Sequence, residues 1–288
     1  MSGRFLARFS LLLSVFVLLT ALVASPASAA GQTMTAQMPA VETFHFKVSL
    51  KWSAVPGASY YEVRYTNHPK NMLTNSGLFT MTAGTQIYSP MNSSLGYRFF
   101  RVYAFNSAGA LLAFSNSVGV AKYPSGLVVR MKKDVALTNS YPDPNRSYVP
   151  AQYQRPTWFV TISPTVLNSY VAPNFRMSEF ILQPGVTAAL VDPNLVQHVQ
   201  DARNRYGVMW IESGYRTPWY NASVGGSKYS RHMYGDGVDV RARTQAQWNT
   251  LNAIFAAERP AYVESYAEGG RHHWHGDWRS EGKGYRNW

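Results

Sequence analysis

Short runs of alternating apolar and polar residues fill the first half of the chain. Val48, Leu50 and Trp52 fall on one side of such a run, Pro56-Gly57 marks a turn, and Tyr61, Val63 and Tyr65 then alternate against Glu62 and Arg64. Phe100, Val102 and Ala104 continue the theme. A period of two with one apolar side is what a half-buried strand requires, and several such runs between turn residues predict an all-β sandwich over residues 38–121. Residues 122–157 are rich in Pro, Ser, Asn, Asp and Gln, with one short apolar run at Leu127 to Val129. They predict a linker with room for one strand.

From Trp158 the pattern changes to mixed elements, which predicts an α+β unit with a small antiparallel sheet over residues 158–288. Trp158 to Pro164 predicts its first strand. Asp192-Pro193 predicts a helix start, because Asp can cap free backbone N–H groups and Pro fits the first helical position. Leu195, Val199, Ala202 and Tyr206 then share a face, with His198 beside it toward solvent, and Gly207 stops the helix. Val208 to Ile211 predicts a buried strand that delivers Ser213 to Arg216 to its end, and Val238-Asp239-Val240 a second strand whose carboxylate opposes its valines. Thr244 to Pro260 predicts a helix opened by a T-x-x-Q capping box, with Trp248, Leu251 and Phe255 as its buried stripe. Ala261 to Tyr266 and His272 to Trp278 predict the last antiparallel pair, in which His273 and His275 share a face and His272 points away.

The first 29 residues stand apart. Arg4 and Arg8, an apolar centre from Leu11 to Val23 and the small residues Ala27-Ser28-Ala29 have the form of a cleaved signal peptide, residues 1–29. The apolar centre is shorter than the roughly 20 residues needed to span a bilayer, so no transmembrane anchor is expected after processing. The mature chain is expected to be secreted, periplasmic or cell-wall-associated. It has no cysteine, which excludes disulfides and thiolate metal sites. Twenty-seven Lys and Arg against 15 Asp and Glu give +12, and removing Arg4 and Arg8 with the leader leaves +10. For an exported protein that excess points to anionic cell-wall polymers as partners, not to nucleic acid.

Candidate chemistry is concentrated in two stretches, S-R-H-M-Y-G-D-G-V-D from Ser230 to Asp239 and H-H-W-H-G-D from His272 to Asp277, which hold four of the seven histidines. Together they offer a histidine, a carboxylate seven residues on and a distant H-x-H. Those are nitrogen and oxygen ligands that zinc accepts when three protein groups leave a fourth position to water. Asp236, out of step with the ligand spacing, is expected to be exposed.

Around these stretches, F-x-x-S-E-F (Phe175 to Phe180), D-P-x-L (Asp192 to Leu195), S-G-Y-R-T-P (Ser213 to Pro218), N-x-x-V-G-G-S (Asn221 to Ser227), S-x-H-x-x-G-x-G-x-D and a closing H-x-H-x-D follow in order. The run from about Asn174 to Asp277 resembles the zinc D-Ala-D-Ala carboxypeptidase family, peptidase M15, whose LAS-type fold is shared by VanX-like and VanY-like peptidases and by the Hedgehog signalling domain. The resemblance implies one zinc ion held by His232, Asp239 and His275. Arg216 would then face the scissile carbonyl, and Ser230 would help hold the substrate's terminal carboxylate. Several members place an acid three residues before the last ligand, where this chain has His272. Glu264 and His273 fill positions that other members use, so the general base is Glu264, His272 or His273, with Glu264 preferred and His273 as its partner.

In the first half, V-S-L-K-W-S-A-V-P-G-A-S-Y-Y-E-V and F-R-V-Y-A-F-N-S-A-G-A resemble a fibronectin type III domain, which implies a spacer or docking module. Tyr97 is out of phase with Val102 and Ala104, which argues against the usual tyrosine corner. The combined expectation is a secreted zinc peptidase that hydrolyses peptidoglycan stem or cross-link peptides, as a D,D-carboxypeptidase or an endopeptidase. The alternative is an inactive metal-bound domain that binds cell-wall peptide or a protein partner.

Overall fold

The computed structural model describes residues 34–37, 43–68, 72, 75–92, 94–143, 151–270 and 272–279. The expected leader, residues 1–29, lies outside them, as does the expected sandwich boundary at residue 38. Two sheets form the N-terminal part. One has three strands, in the order Ala36–Gln37, Lys47–Trp52, Gln86–Pro90. The other is a nine-stranded sheet whose main path runs Ala188–Ala189, Trp158–Thr161, Leu127–Lys133, Val118–Lys122, Gly96–Phe105, Tyr60–Thr66, Gly77–Thr82. Their facing sides bury Val48, Leu50, Trp52, Tyr61, Val63, Phe100, Val102 and Val120 in one core. These are the alternating positions that predict a sandwich, because side chains one apart on a strand point to opposite faces.

The opposite face of the large sheet is equally dry. Tyr97, Phe99, Ala121, Leu127, Val129 and Met131 belong to a second core that continues through Phe159, Val171, Phe180, Leu195 and Val199 into the C-terminal part. Tyr97 is out of phase with the sandwich core because it serves this other one. Its hydroxyl donates to the Val191 carbonyl at 3.2 Å, and that of Tyr123 donates to the same oxygen at 2.9 Å.

The region expected to be a linker therefore has a central place. The Leu127–Lys133 strand pairs along one edge with Val118–Lys122, and along the other first with Thr43–His45 and then with Trp158–Thr161. An Asp134-capped helix, Val135–Ser140, follows directly and buries Leu137. A strand with both edges paired and both faces covered ties the two parts into one layered body, which a spacer would not do.

Beyond it, the Pro193–Tyr206 helix starts on Asp192, which accepts from the Asn194 N–H, and ends at Gly207. Leu195, Val199 and Ala202 are buried and Tyr206 is partly so. His198 differs from its expected solvent-facing position. It is half-buried, stacked on Trp278 at 4.8 Å between ring centroids, with Nδ1 2.9 Å from Glu258 Oε2. A four-stranded antiparallel sheet closes the fold in the order Ile211–Ser213, Gly237–Arg241, His273–Asp277, Tyr262–Val263. The first of these strands begins three residues later than expected. Val208 and Trp210 are exposed, and Trp210 gains its contact from the Arg241 guanidinium instead, 5.2 Å from the ring centroid. The last two strands are shorter than expected, so Glu264 and His272 flank them instead of lying within them. The Gln245–Ala256 helix, capped by Thr244, covers the sheet with Leu251 and Phe255, and Phe255 stacks on Trp274 at 4.1 Å.

Candidate metal centre

Asp239 sits in the middle strand of the small sheet, directly opposite His275 in the register. Val238 and Val240 on either side are fully buried in the core, so strand alternation turns the carboxylate to the other face. His232 arrives from the Arg231–Tyr234 helical turn, which ends at Gly235. Gly235 has φ 71°, and a side chain there would run into the Leu190 carbonyl. Glycine is what lets the chain reverse between the first two candidate ligands.

The motif segments hold one another. The Asp192 N–H donates to the Gly235 carbonyl at 2.9 Å, the Tyr215 N–H to the Phe180 carbonyl at 2.7 Å, and the Arg216 N–H to the His232 carbonyl at 3.2 Å. Asn221 closes the Gly225-Gly226 loop by donating from Nδ2 to the Ser227 carbonyl at 2.9 Å.

His232, Asp239 and His275 each contribute one ligand-type atom, and these atoms lie within 4.8 Å of one another. Asp239 Oδ1 is 3.2 Å from His232 Nε2 and 2.7 Å from His275 Nδ1. His232 Nδ1 donates to the Gly214 carbonyl at 2.8 Å, which fixes the tautomer and leaves the Nε2 lone pair for the site. Burial lowers the His232 pKa, so the ring is neutral as a ligand must be. Burial also acts to lower His275, but hydrogen bonds to Asp239 and Asp277 raise it to about 9. Burial would raise Asp239, and the two histidines more than offset it, holding the carboxylate well below its ordinary range. Two imidazoles and a carboxylate, buried on one side and open to a cleft on the other, fit a zinc ion with one coordination position left over.

The other expected site residues gather in the same cleft, whose volume is about 670 Å³. Arg216 donates from Nη2 to Asp239 Oδ2 at 2.9 Å and from Nε to Ser213 Oγ at 2.7 Å. Glu264 Oε2 is 3.6 Å from His273 Nε2, which is 3.8 Å from Asp239 Oδ1. Ser230 lines the cleft as the N-cap of the His232 turn, with no side-chain capping bond. His272 is exposed at the outer rim, its Nδ1 2.7 Å from the Gly270 carbonyl.

Two acids differ from the sequence reading. Asp236, expected to be exposed, is 1% exposed and accepts from Arg231 Nε at 2.9 Å and Nη2 at 2.6 Å. Burial pushes its carboxyl up to about 7, and Arg231 is what limits the rise. Arg231 in turn lies against the rings of Tyr153 and Tyr234 at 5.2 and 4.6 Å, and donates to the Gln152 carbonyl. A basic and an acidic residue on either side of the turn glycine were the sequence signal for this pair. Asp277 has no exposure at all, stands 3.9 Å from His275 Nε2 and pairs with Arg279. Its position behind a ligand ring is that of an orienting carboxylate.

Residues 173–275 match the peptidase M15 family model. The match spans His232, Asp239, His275, Arg216, Ser230, Glu264 and His273, and it supports a metallopeptidase for this region. No curated protein matches the chain. Among solved structures the chain is similar to a pectate lyase from Erwinia chrysanthemi at 13% identity and TM-score 0.23, over 31% of this chain and 27% of that one. It is similar to a fibronectin type III-like protein from Clostridium thermocellum at 17% identity and TM-score 0.23, over 29% of this chain and 81% of that one. A human fibronectin type III domain is similar at 14% identity and TM-score 0.25, over 31% of this chain and 84% of that one.

Proposed function

We propose that the M15-like region is a zinc-dependent peptidase acting on peptidoglycan peptides outside the cell, with Glu264 as its general base. The observation that carries the reading is the convergence of His232, Asp239 and His275 within 4.8 Å inside the matched segment, beside a glutamate–histidine pair. The chemistry that a bound zinc ion supplies is Lewis acidity and a water of lowered pKa. Glu264 takes a proton from the attacking water and returns it to the leaving amine. His273 keeps the Glu264 carboxylate turned toward the ligands. Arg216 has two of its five donors committed to Ser213 and Asp239, which fixes the fork and leaves the others for the scissile carbonyl oxygen as it gains charge. Ser230 offers a neutral hydroxyl to the substrate backbone.

Export is supported by the leader-like first 29 residues. No helix among the described residues is long and apolar enough to cross a membrane. The basic excess suits retention on anionic wall polymers. The test is mass spectrometry of purified sacculi and defined stem peptides after incubation with the mature protein as isolated, chelator-treated and restored with zinc. New peptide ends that vanish with chelation and return with zinc are the expected result. Stoichiometric bound zinc without any product would leave a wall-binding domain in its place.

A further inference from the structure

Two tryptophans are more than half exposed among the described residues, Trp210 at 58% and Trp219 at 60%. Trp210 lies under the Arg241 guanidinium. Trp219 instead borders a groove of about 290 Å³, separate from the metal cleft, that Asp134, Leu137, Gln183, Val186 and Thr217 also line. Keeping a large apolar ring in water forgoes the free energy of burying it, and an indole beside a groove is a surface for a ligand to cover.

The polar groups around that ring are held in place by the fold. Gln183 Oε1 accepts from the Thr217 N–H at 3.2 Å and from the Thr217 hydroxyl at 3.0 Å, which fixes the amide and leaves its Nε2 as a donor. Asp134 Oδ1 accepts from the Leu137 N–H at 2.9 Å as the cap of the Val135–Ser140 helix, which leaves Oδ2 as an acceptor. The groove thus offers a flat aromatic face, a donor and a carboxylate beside the apolar Leu137 and Val186. A sugar ring has the matching chemistry, with C–H groups on its faces and hydroxyls around its edge that each donate and accept. The volume is at the small end for a small-molecule site, suited to sugar rings and too small for a helix.

Position gives a second reason. Arg216 and Val224 line the metal cleft while Thr217 and Trp219 line the groove, so the Pro218–Ser223 helix is the ridge between them. Six residues of helix are about 9 Å long. A substrate seated in the cleft crosses that ridge with a few further bonds, and peptidoglycan stem peptides are covalently joined to sugar.

We propose that this groove binds a sugar ring of the glycan strand that carries the substrate peptide, stacked on Trp219 with its hydroxyls on Gln183 and Asp134. The choice of the wall glycan rests on the peptidase reading above.

Calorimetry of the zinc-loaded mature chain with soluble, peptide-free wall oligosaccharides tests the site directly. Saturable binding is expected, weakened about ten-fold or more by Trp219→Ala and about three-fold or less by Trp219→Phe, which keeps a ring. Because the side chain is exposed, neither variant is expected to shift the urea midpoint. An unbound oligosaccharide, or binding that Trp219→Ala leaves within about two-fold, overturns the proposal. In turnover, kcat/KM for a stem peptide on its glycan is expected to exceed that for the free peptide about ten-fold, and Trp219→Ala to bring the ratio to about one. A loss on free peptide as large as that on the glycan-linked one makes the groove a peptide subsite and overturns the sugar assignment. Cleavage of neither substrate is the failure of the peptidase reading alone, and the binding measurement still decides the groove.

Discussion

Toward the three-stranded sheet, the central sheet buries Phe100, Val102, Val120 and their apolar partners, and among the described residues of that half the buried polar ones are Thr66, Arg98 and Ser115. Beyond residue 151, the described part buries eleven polar or charged residues, among them Arg231, His232, Asp236, Asp239 and Asp277. Both halves share one sheet and comparable dryness, so the difference lies in what each is built to hold. An apolar core needs only shape and volume. A core that holds charged groups needs a partner for each one, and those partners decide where ligands and substrate can go.

The comparison is broken most severely by substitutions on the charged side. Glu264→Gln is expected to lower kcat by roughly 10²–10⁴-fold while leaving zinc content near one per chain, measured by turnover and metal analysis in parallel. Loss of metal along with activity would mean that Glu264 is structural. Asp236→Ala strands Arg231 in the core and is expected to cost about 3–5 kcal/mol in urea unfolding, whereas replacing both by apolar residues of similar volume should cost far less. Similar losses for the single and double variants would show that the pair is not acting through buried charge.

Proton linkage sharpens the contrast between the two candidate histidine ligands. His275, raised to about 9, carries a proton at pH 7 in the metal-free protein, while His232, lowered by burial, does not. Zinc must displace that proton, so calorimetry at pH 7 in buffers of different ionisation enthalpy should give about one proton released per ion. Apparent zinc affinity should then rise about ten-fold per pH unit and level off near pH 9. Release of two protons would place both rings in the charged form.

The smallest expected effect is at the seam. Tyr97→Phe and Tyr123→Phe each remove one of two donors to the Val191 carbonyl and should cost about 0.5–1.5 kcal/mol. The double variant should cost more than the sum, since only then does the carbonyl lose both partners. Simple additivity would show that the carbonyl finds water.

Much of this site was legible in the sequence because its logic is local. Strand parity puts His273 and His275 on one face and turns Asp239 away from its valines, and Asp192-Pro193 carries its own reason for starting a helix. The family motifs supplied the rest of the ligand set. What was not legible depended on partners distant in sequence. Leu127 to Val129 resembles a short apolar run in a polar segment, and nothing local says that strands from both halves will pair with it. Asp236 is different, since its partner Arg231 is only five residues back and the opposite charges on either side of Gly235 were a local signal for the pair. Val208 is apolar without being buried, since the strand it was expected to start takes its register from Val240 opposite Ile211. His198 is half-buried because Trp278, eighty residues later, lies flat on its ring and Glu258 meets its Nδ1.

Translation delivers the Leu127–Lys133 strand before its neighbour Trp158–Thr161 exists, and chains generally begin folding from the N-terminal end. During that interval Met131–Lys133 form an open edge on a sheet that still lacks both Trp158–Thr161 and Ala188–Ala189, the kind of edge that recruits other chains. Lys132 and Lys133 occupy that edge, and like charges repel when two such edges meet. The two lysines thus guard this edge against pairing with other chains until the C-terminal half arrives to cover it.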